Sequence, residues 1–201
     1  MRKIAFTAAA VLLAAVIVLV FVELRLKSLR SEFSKLEAEN AAGSAVTKGL
    51  DDTLAAYKLN YDDVVDFTYD SGGNIKSLSV DIITLNTFGN ELGKNIDKNI
   101  SEIKSYRYEI PVSLLFGEEF TSGIGVKIPF YITMKGNSSS KFTDIFESAG
   151  VNQTRHRIML ETTVEMYVLF GGSVKTVEYK SNVCVAESII IGVTPQTFAN
   201  F

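Results

Sequence analysis

From His156 to Phe170 apolar side chains recur at alternate positions, and this constrains the fold more than any other feature of the chain. His156, Ile158, Leu160, Val164, Met166, Val168 and Phe170 share one side of an extended backbone, with Arg157, Glu161 and Glu165 on the other. A period of two over such a length marks a half-buried strand. Gly171-Gly-Ser173 has turn chemistry, and Val177, Tyr179, Val183 and Val185 then resume the alternation, which predicts a long antiparallel hairpin. A sheet of this kind has one apolar face that another layer must cover.

The covering layer is also legible. Leu85, Phe88, Leu92, Ile96, Ile100 and Ile103 step by three or four, the stripe of an amphipathic helix, with Gly89 and Gly93 beside it as points of close packing. Before it, Val65, Phe67 and Tyr69 alternate, as do Leu78, Val80 and Ile82, and Asp70-Ser-Gly-Gly-Asn74 between them reads as a hairpin turn. A strand is expected around Tyr108–Phe116, with Pro111 marking an edge or a strand start. Gly117–Gly125 reads as a connection and Val126–Met134 as a strand interrupted by Pro129. Gly136-Asn-Ser-Ser-Ser140 reads as a turn, and Phe142, Ile145, Phe146 and Ala149 as a short helix closed by a left-handed Gly150. The fold class is therefore α+β, mainly antiparallel sheet with packed helices.

At the N-terminus no charged residue occurs between Lys3 and Glu23, and Ile4–Val22 is almost wholly apolar. That run matches the ~20 residues that cross a bilayer as a helix. The bulky, charged sequence Phe21-Val-Glu-Leu-Arg-Leu-Lys27 lacks the small residues of a cleavage site, so residues 1–22 are expected to be an uncleaved signal anchor. Leu26, Leu29, Phe33 and Leu36 continue as a juxtamembrane helix over residues 23–43, with a break at Ala41-Ala-Gly-Ser44. A second helix presents Val46, Leu50, Leu54 and Tyr57, and residues 44–201 form the domain. Arg2 and Lys3 favour a cytoplasmic N-terminus, whereas Arg25, Lys27 and Arg30 oppose it; the shape is that of a signal anchor exporting its long C-terminal part.

Composition narrows the partners. Net charge is −3, and setting aside Arg2 and Lys3 leaves 18 basic and 23 acidic side chains from Glu23 onward, a balance of −5. No basic stripe is present to neutralise phosphates, so nucleic acid is not an expected partner. The single cysteine, Cys184, excludes an internal disulfide framework.

Residues suited to catalysis are sparse. His156 is the only histidine, and its phase with Ile158 and Leu160 predicts a core or turn residue bonded to nearby backbone. Cys184 lies on the opposite phase from Val183 and Val185; a pair with His156 is conceivable, but a small hydrophobe is the reading taken. Arg155 and Arg157 could hold a carboxylate or phosphate, or pair with Glu161 or Glu178 across the outer face. Gly123-Ile-Gly-Val-Lys-Ile128 fails as a dinucleotide loop, and Asp62, Asp63, Asp66 and Asp70 lack EF-hand spacing. No catalytic residue, metal or cofactor is assigned.

The run Ala149-Gly-Val-Asn-Gln-Thr-Arg-His156 resembles a block of the YunB-like sporulation proteins of endospore-forming Firmicutes. Val183-Cys-Val-Ala-Glu-Ser-Ile-Ile-Ile-Gly192 followed by Pro195 resembles that family's ending, although Cys184 stands where relatives commonly have proline. The resemblance singles out Gly150, Asn152, Gln153, Thr154, Arg155, His156, Ala186, Glu187, Gly192 and Pro195 as structural or interaction residues. It implies a role in spore formation, with the domain facing the space between the mother-cell and forespore membranes. The expected function is a non-catalytic structural or assembly component, its partners being the membrane and a spore-envelope protein or a second copy of itself. An exported enzyme acting on envelope material and a ligand-binding sensor are the alternatives.

Overall fold

The computed structural model describes residues 2–103, 105–115 and 126–192; the Gly117–Gly125 connection and Pro195 lie outside them. Eight principal elements occur in the order α1 (Arg2–Tyr57), β1 (Val65–Tyr69), β2 (Ile75–Val80), α2 (Ile82–Ser101), β3 (Tyr106–Pro111), β4 (Lys127–Gly150), β5 (Gln153–Phe170) and β6 (Ser173–Ile191). β1 and β2 pair antiparallel as a two-stranded sheet, and a second sheet has the order β3-β4-β5-β6. The fold is α+β, as the alternating and stepped segments predict.

The chain divides into two compact units, each receiving a part of α1, β4, β5 and β6. The first comprises Met1–Glu39, Lys104–Met134 and Tyr167–Val177. Its core holds Leu26, Ile110, Phe130, Ile132, Val168 and Phe170. Here β3 is the edge strand, paired antiparallel with β4 from Tyr106↔Ile132 to Pro111↔Lys127. Pro111 is its last residue rather than its start, and Val112–Leu115 form a short 3-10 helix where the strand was expected to continue. Pro129 does not interrupt β4, where it lies opposite Glu109 of β3. Tyr108 is also in this unit; burial first, then its hydrogen bond to Glu37 and that carboxylate's charge, push its hydroxyl well above the usual tyrosine range.

The second unit comprises Asn40–Ile103, Lys135–Met166 and Glu178–Phe201. The α2 stripe is realised as far as Ile100: Leu85, Phe88, Leu92, Ile96 and Ile100 are all buried, whereas Ile103 lies past the end of the helix and is half-buried. Asp81 caps the helix, accepting from the N–H groups of Ile83 and Thr84; the Thr84 hydroxyl's hydrogen bond first, then these N–H bonds, hold its carboxyl below the usual range. β5 buries every second residue from His156 to Phe170.

Three local expectations are corrected. First, α1 runs 56 residues without a break at Ala41–Ser44. Ala42, Ala45 and Val46 are buried there, and a Cβ on Gly43 would lie 3.2 Å from the Tyr179 hydroxyl oxygen. Close packing against β6 therefore uses the small residues that would otherwise mark a break. Second, Gly136–Ser140 is not a turn but the middle of β4. A Cβ on Gly136 would stand 2.5 Å from the Glu165 carbonyl oxygen, so glycine here serves close backbone approach. Third, Phe142–Ala149 is strand, not helix. Half-buried positions run 136, 138, 140 and 142, then shift phase to 145 and 149, so a slipped alternation imitates helical spacing.

Candidate functional site

The turn from β4 into β5 is built by residues of the first resembling block. It is a hairpin turn rather than the predicted helix-to-strand turn, but its glycine has the anticipated positive φ. Gly150 has φ +148° and Asn152 φ +58°, the latter a left-handed conformation that asparagine tolerates better than most residues. The Gly192 N–H donates to the Asn152 carbonyl at 2.7 Å, so the start of β5 and the residue just past β6 are tied. Glu187 brings the two blocks together again, lying 3.9 Å from Arg155 Nε and 4.0 Å from Arg157 Nε. Arg157 also pairs with Glu147 at 2.6 Å. The arginines thus do not use Glu161 or Glu178, whose partners are Lys141 and Lys180. Ala186 is buried in one apolar cluster with Val64, Val65, Leu85 and Ile158. Gln153 and Thr154 are exposed at the start of β5.

Gly150→Val should lower stability by about 2 kcal/mol, since a β-branched side chain is strained at this positive φ. Equilibrium unfolding in urea reads this directly. An unchanged midpoint and slope would remove the conformational role assigned to the glycine.

His156 is fully buried, at 0% exposure. Its ring stacks on Phe146 with centroids 4.4 Å apart and planes 13° from parallel. The Tyr61 ring meets it edge-on at 5.8 Å. His156 Nδ1 shares a 2.7 Å hydrogen bond with the Tyr61 hydroxyl, so its partner is a side chain 95 residues away rather than nearby backbone. The other ring nitrogen, Nε2, makes no hydrogen bond; Asp144 Oδ1 is 3.6 Å from it. Burial, then the charges of Asp62 and Asp144, raise the Tyr61 hydroxyl above its ordinary pKa. Tyr61, His156 and Asp144 therefore form a short polar chain set in an apolar wall.

That chain ends beside an open groove of ≈ 910 Å³ along α2 and β4, whose lining includes Asp144, Phe142, Asn86, Asn90 and Ser138–Ser140. Asp97 fixes its floor by accepting from both the N–H and the hydroxyl of Ser138, each at 2.8 Å. Gly89 lets β4 approach the helix, since Phe142 would be 3.2 Å from a Cβ there, and the Ser138 hydroxyl donates to the Gly93 carbonyl at 3.3 Å. Sequence reasoning identified His156 and the two glycines but missed Tyr61 and Asp144. No local pattern marks either, since both belong to the site through distant packing alone.

Cys184 is exposed, with its thiol 3.5 Å from the Ala186 carbonyl oxygen, and His156 has Tyr61 and Asp144 as its polar neighbours instead. Among the described residues no group of three His, Cys, Asp or Glu could hold a metal ion.

These features define a class: an α+β protein with antiparallel sheets and one N-terminal helix long and apolar enough to cross a membrane. Residues 107–197, which include both blocks, match the family model described as Sporulation protein YunB (Spo_YunB). Over that stretch the chain is similar to the YunB sporulation proteins, and the similarity supports a role in sporulation. No curated protein and no solved structure matches it.

Proposed function

We propose that this protein is a membrane-anchored, non-catalytic assembly component of spore formation. Its domain faces the space between the mother-cell and forespore membranes and binds an envelope protein or a second copy of itself. The observation supporting this reading is the burial of His156: the one side chain whose ordinary pKa suits proton transfer near neutral pH is packed inside the wall, against Phe146 and Tyr61. The open surface offers amides and hydroxyls, groups that suit recognition. Tethering in the plane of a membrane adds effective concentration to contacts of modest affinity.

A second reading, an exported enzyme, rests on Asp144. This carboxylate lines the groove and stands 3.6 Å from His156 Nε2, so a proton path from Tyr61 through His156 would reach the groove at that point. Sporulation assays separate the two. Deletion of the gene should impair spore formation, whereas Asp144→Asn and Cys184→Ser, which spare the core, should restore it in full. Loss of spores in a folded Asp144→Asn strain, together with turnover of envelope material by the native protein, would establish the enzyme instead. Cross-linking in sporulating cells should recover the domain joined to a protein.

A further inference from the structure

The tip of the β5–β6 hairpin carries exposed apolar side chains that the fold itself does not use. Leu169 is 47% and Val174 68% exposed, one on each side of the Gly171–Gly172 turn. A two-residue turn sets these strand residues opposite one another, so they form a single outward patch. Their neighbours point inward or toward the helix. Phe170 is buried, and the Lys175 ammonium donates to the Ser31 hydroxyl at 3.0 Å.

The height of this patch along α1 follows from those contacts. Lys175 lies level with Ser31, whereas Phe170, Gly171 and Ser173 line a small cleft with Glu23, Lys27 and Arg30. A Cβ on Gly171 would be 3.5 Å from an Arg30 guanidinium nitrogen. The hairpin therefore points down the helix toward the apolar run that ends at Val22. Glu23 and Arg30 are one and eight residues beyond that end, roughly 1.5–12 Å at the helical rise. Headgroups occupy about 5–8 Å on each side of the hydrocarbon. The turn thus falls within the headgroup layer or at its outer edge, and Lys27, Arg30 and Lys175 beside it carry the charge that anionic headgroups attract.

We infer that the β5–β6 hairpin tip is a second membrane contact, which seats Leu169 and Val174 in the headgroup layer of the bilayer crossed by α1. The inference rests on the proposed anchor. It gives the domain a fixed stance on the membrane in place of free rotation about one helix. The apolar pair gains burial that the sheet does not supply, and the lysines and arginine meet lipid phosphate.

The chain contains no tryptophan, so a single introduced one reports its own surroundings. The full-length protein would be placed in nanodiscs of phosphatidylcholine and phosphatidylglycerol whose acyl chains carry bromine near the headgroup. Leu169→Trp and Val174→Trp, both at exposed positions, should show blue-shifted emission that the bromine quenches. Leu13→Trp, inside the apolar run, should be quenched as well. Leu36→Trp, exposed on the same helix and roughly 21 Å past Val22, should not be. Quenching at position 13 with positions 169 and 174 behaving like 36 would overturn the hairpin contact and leave the anchor standing. Emission at position 13 untouched by bromine would remove the anchor, and the hairpin contact with it.

Discussion

Gly136→Ala is expected to destabilise the protein by about 3 kcal/mol, the upper part of the range for forcing atoms into a packed interior. A Cβ there would stand 2.5 Å from the Glu165 carbonyl oxygen and 2.7 Å from Met166 Sδ. The methionine can rotate away. The carbonyl cannot, because it belongs to the backbone of β5, and moving it disturbs the sheet where Val164 and Met166 are buried. Urea unfolding by circular dichroism, with Gly93→Ala beside it, gives the test its contrast. At Gly93 the nearest atom to a new Cβ is Ser138 Oγ at 3.8 Å, an ordinary contact, so alanine should be neutral or should add up to ~1 kcal/mol through helix propensity. If the two alanines behaved alike, the close passage of β4 across β5 would be wrong.

His156→Ala should cost about 3 kcal/mol, comparable with truncating a buried aromatic ring. Removal of the ring leaves a cavity at a fully buried position, ends the stack on Phe146, and takes the hydrogen-bond partner from the Tyr61 hydroxyl. His156→Gln keeps a polar group near Tyr61 and should lose less. Tyr61→Phe deletes only the hydroxyl and should cost about 1 kcal/mol. Thermal unfolding of the three variants should rank them in that order. A folded His156→Ala protein with wild-type stability that forms no spores would move His156 from the architecture to the chemistry. Burial also alters the experiment suited to function: a change at His156 mixes folding with activity, whereas Asp144, on the groove, does not.

The elements that could be read from the chain are those whose pattern is their own. β5 declares itself because one face is buried from His156 to Phe170, and β6 because half-buried and exposed positions alternate along it, so period two is written into the residues. The stripe of α2 is legible for the same reason, and the Asp70–Asn74 turn because its residue types have few other uses: Asp70 accepts from the N–H groups of Gly72 and Asn74. The resembling blocks were visible as sequence, but their meeting was not. Asn152 and Gly192 are joined by one backbone hydrogen bond, which no spacing along the chain encodes.

The sequence by itself determined the α+β class, the apolar run, the long hairpin and the buried phase of His156. Tertiary structure decided β4. Gly136-Asn-Ser-Ser-Ser140 has the local chemistry of a turn, and Phe142, Ile145, Phe146 and Ala149 have the spacing of a helix, yet all belong to one strand. Neighbours prevail over propensity there: β5 requires glycine at 136, and α2 holds Ser138 through Asp97. The site was decided in the same way, since Tyr61, Asp144 and His156 lie far apart in the chain and become one polar cluster only when separate elements pack together. Local pattern records which face of an element is buried; what lies against that face is set by the rest of the molecule.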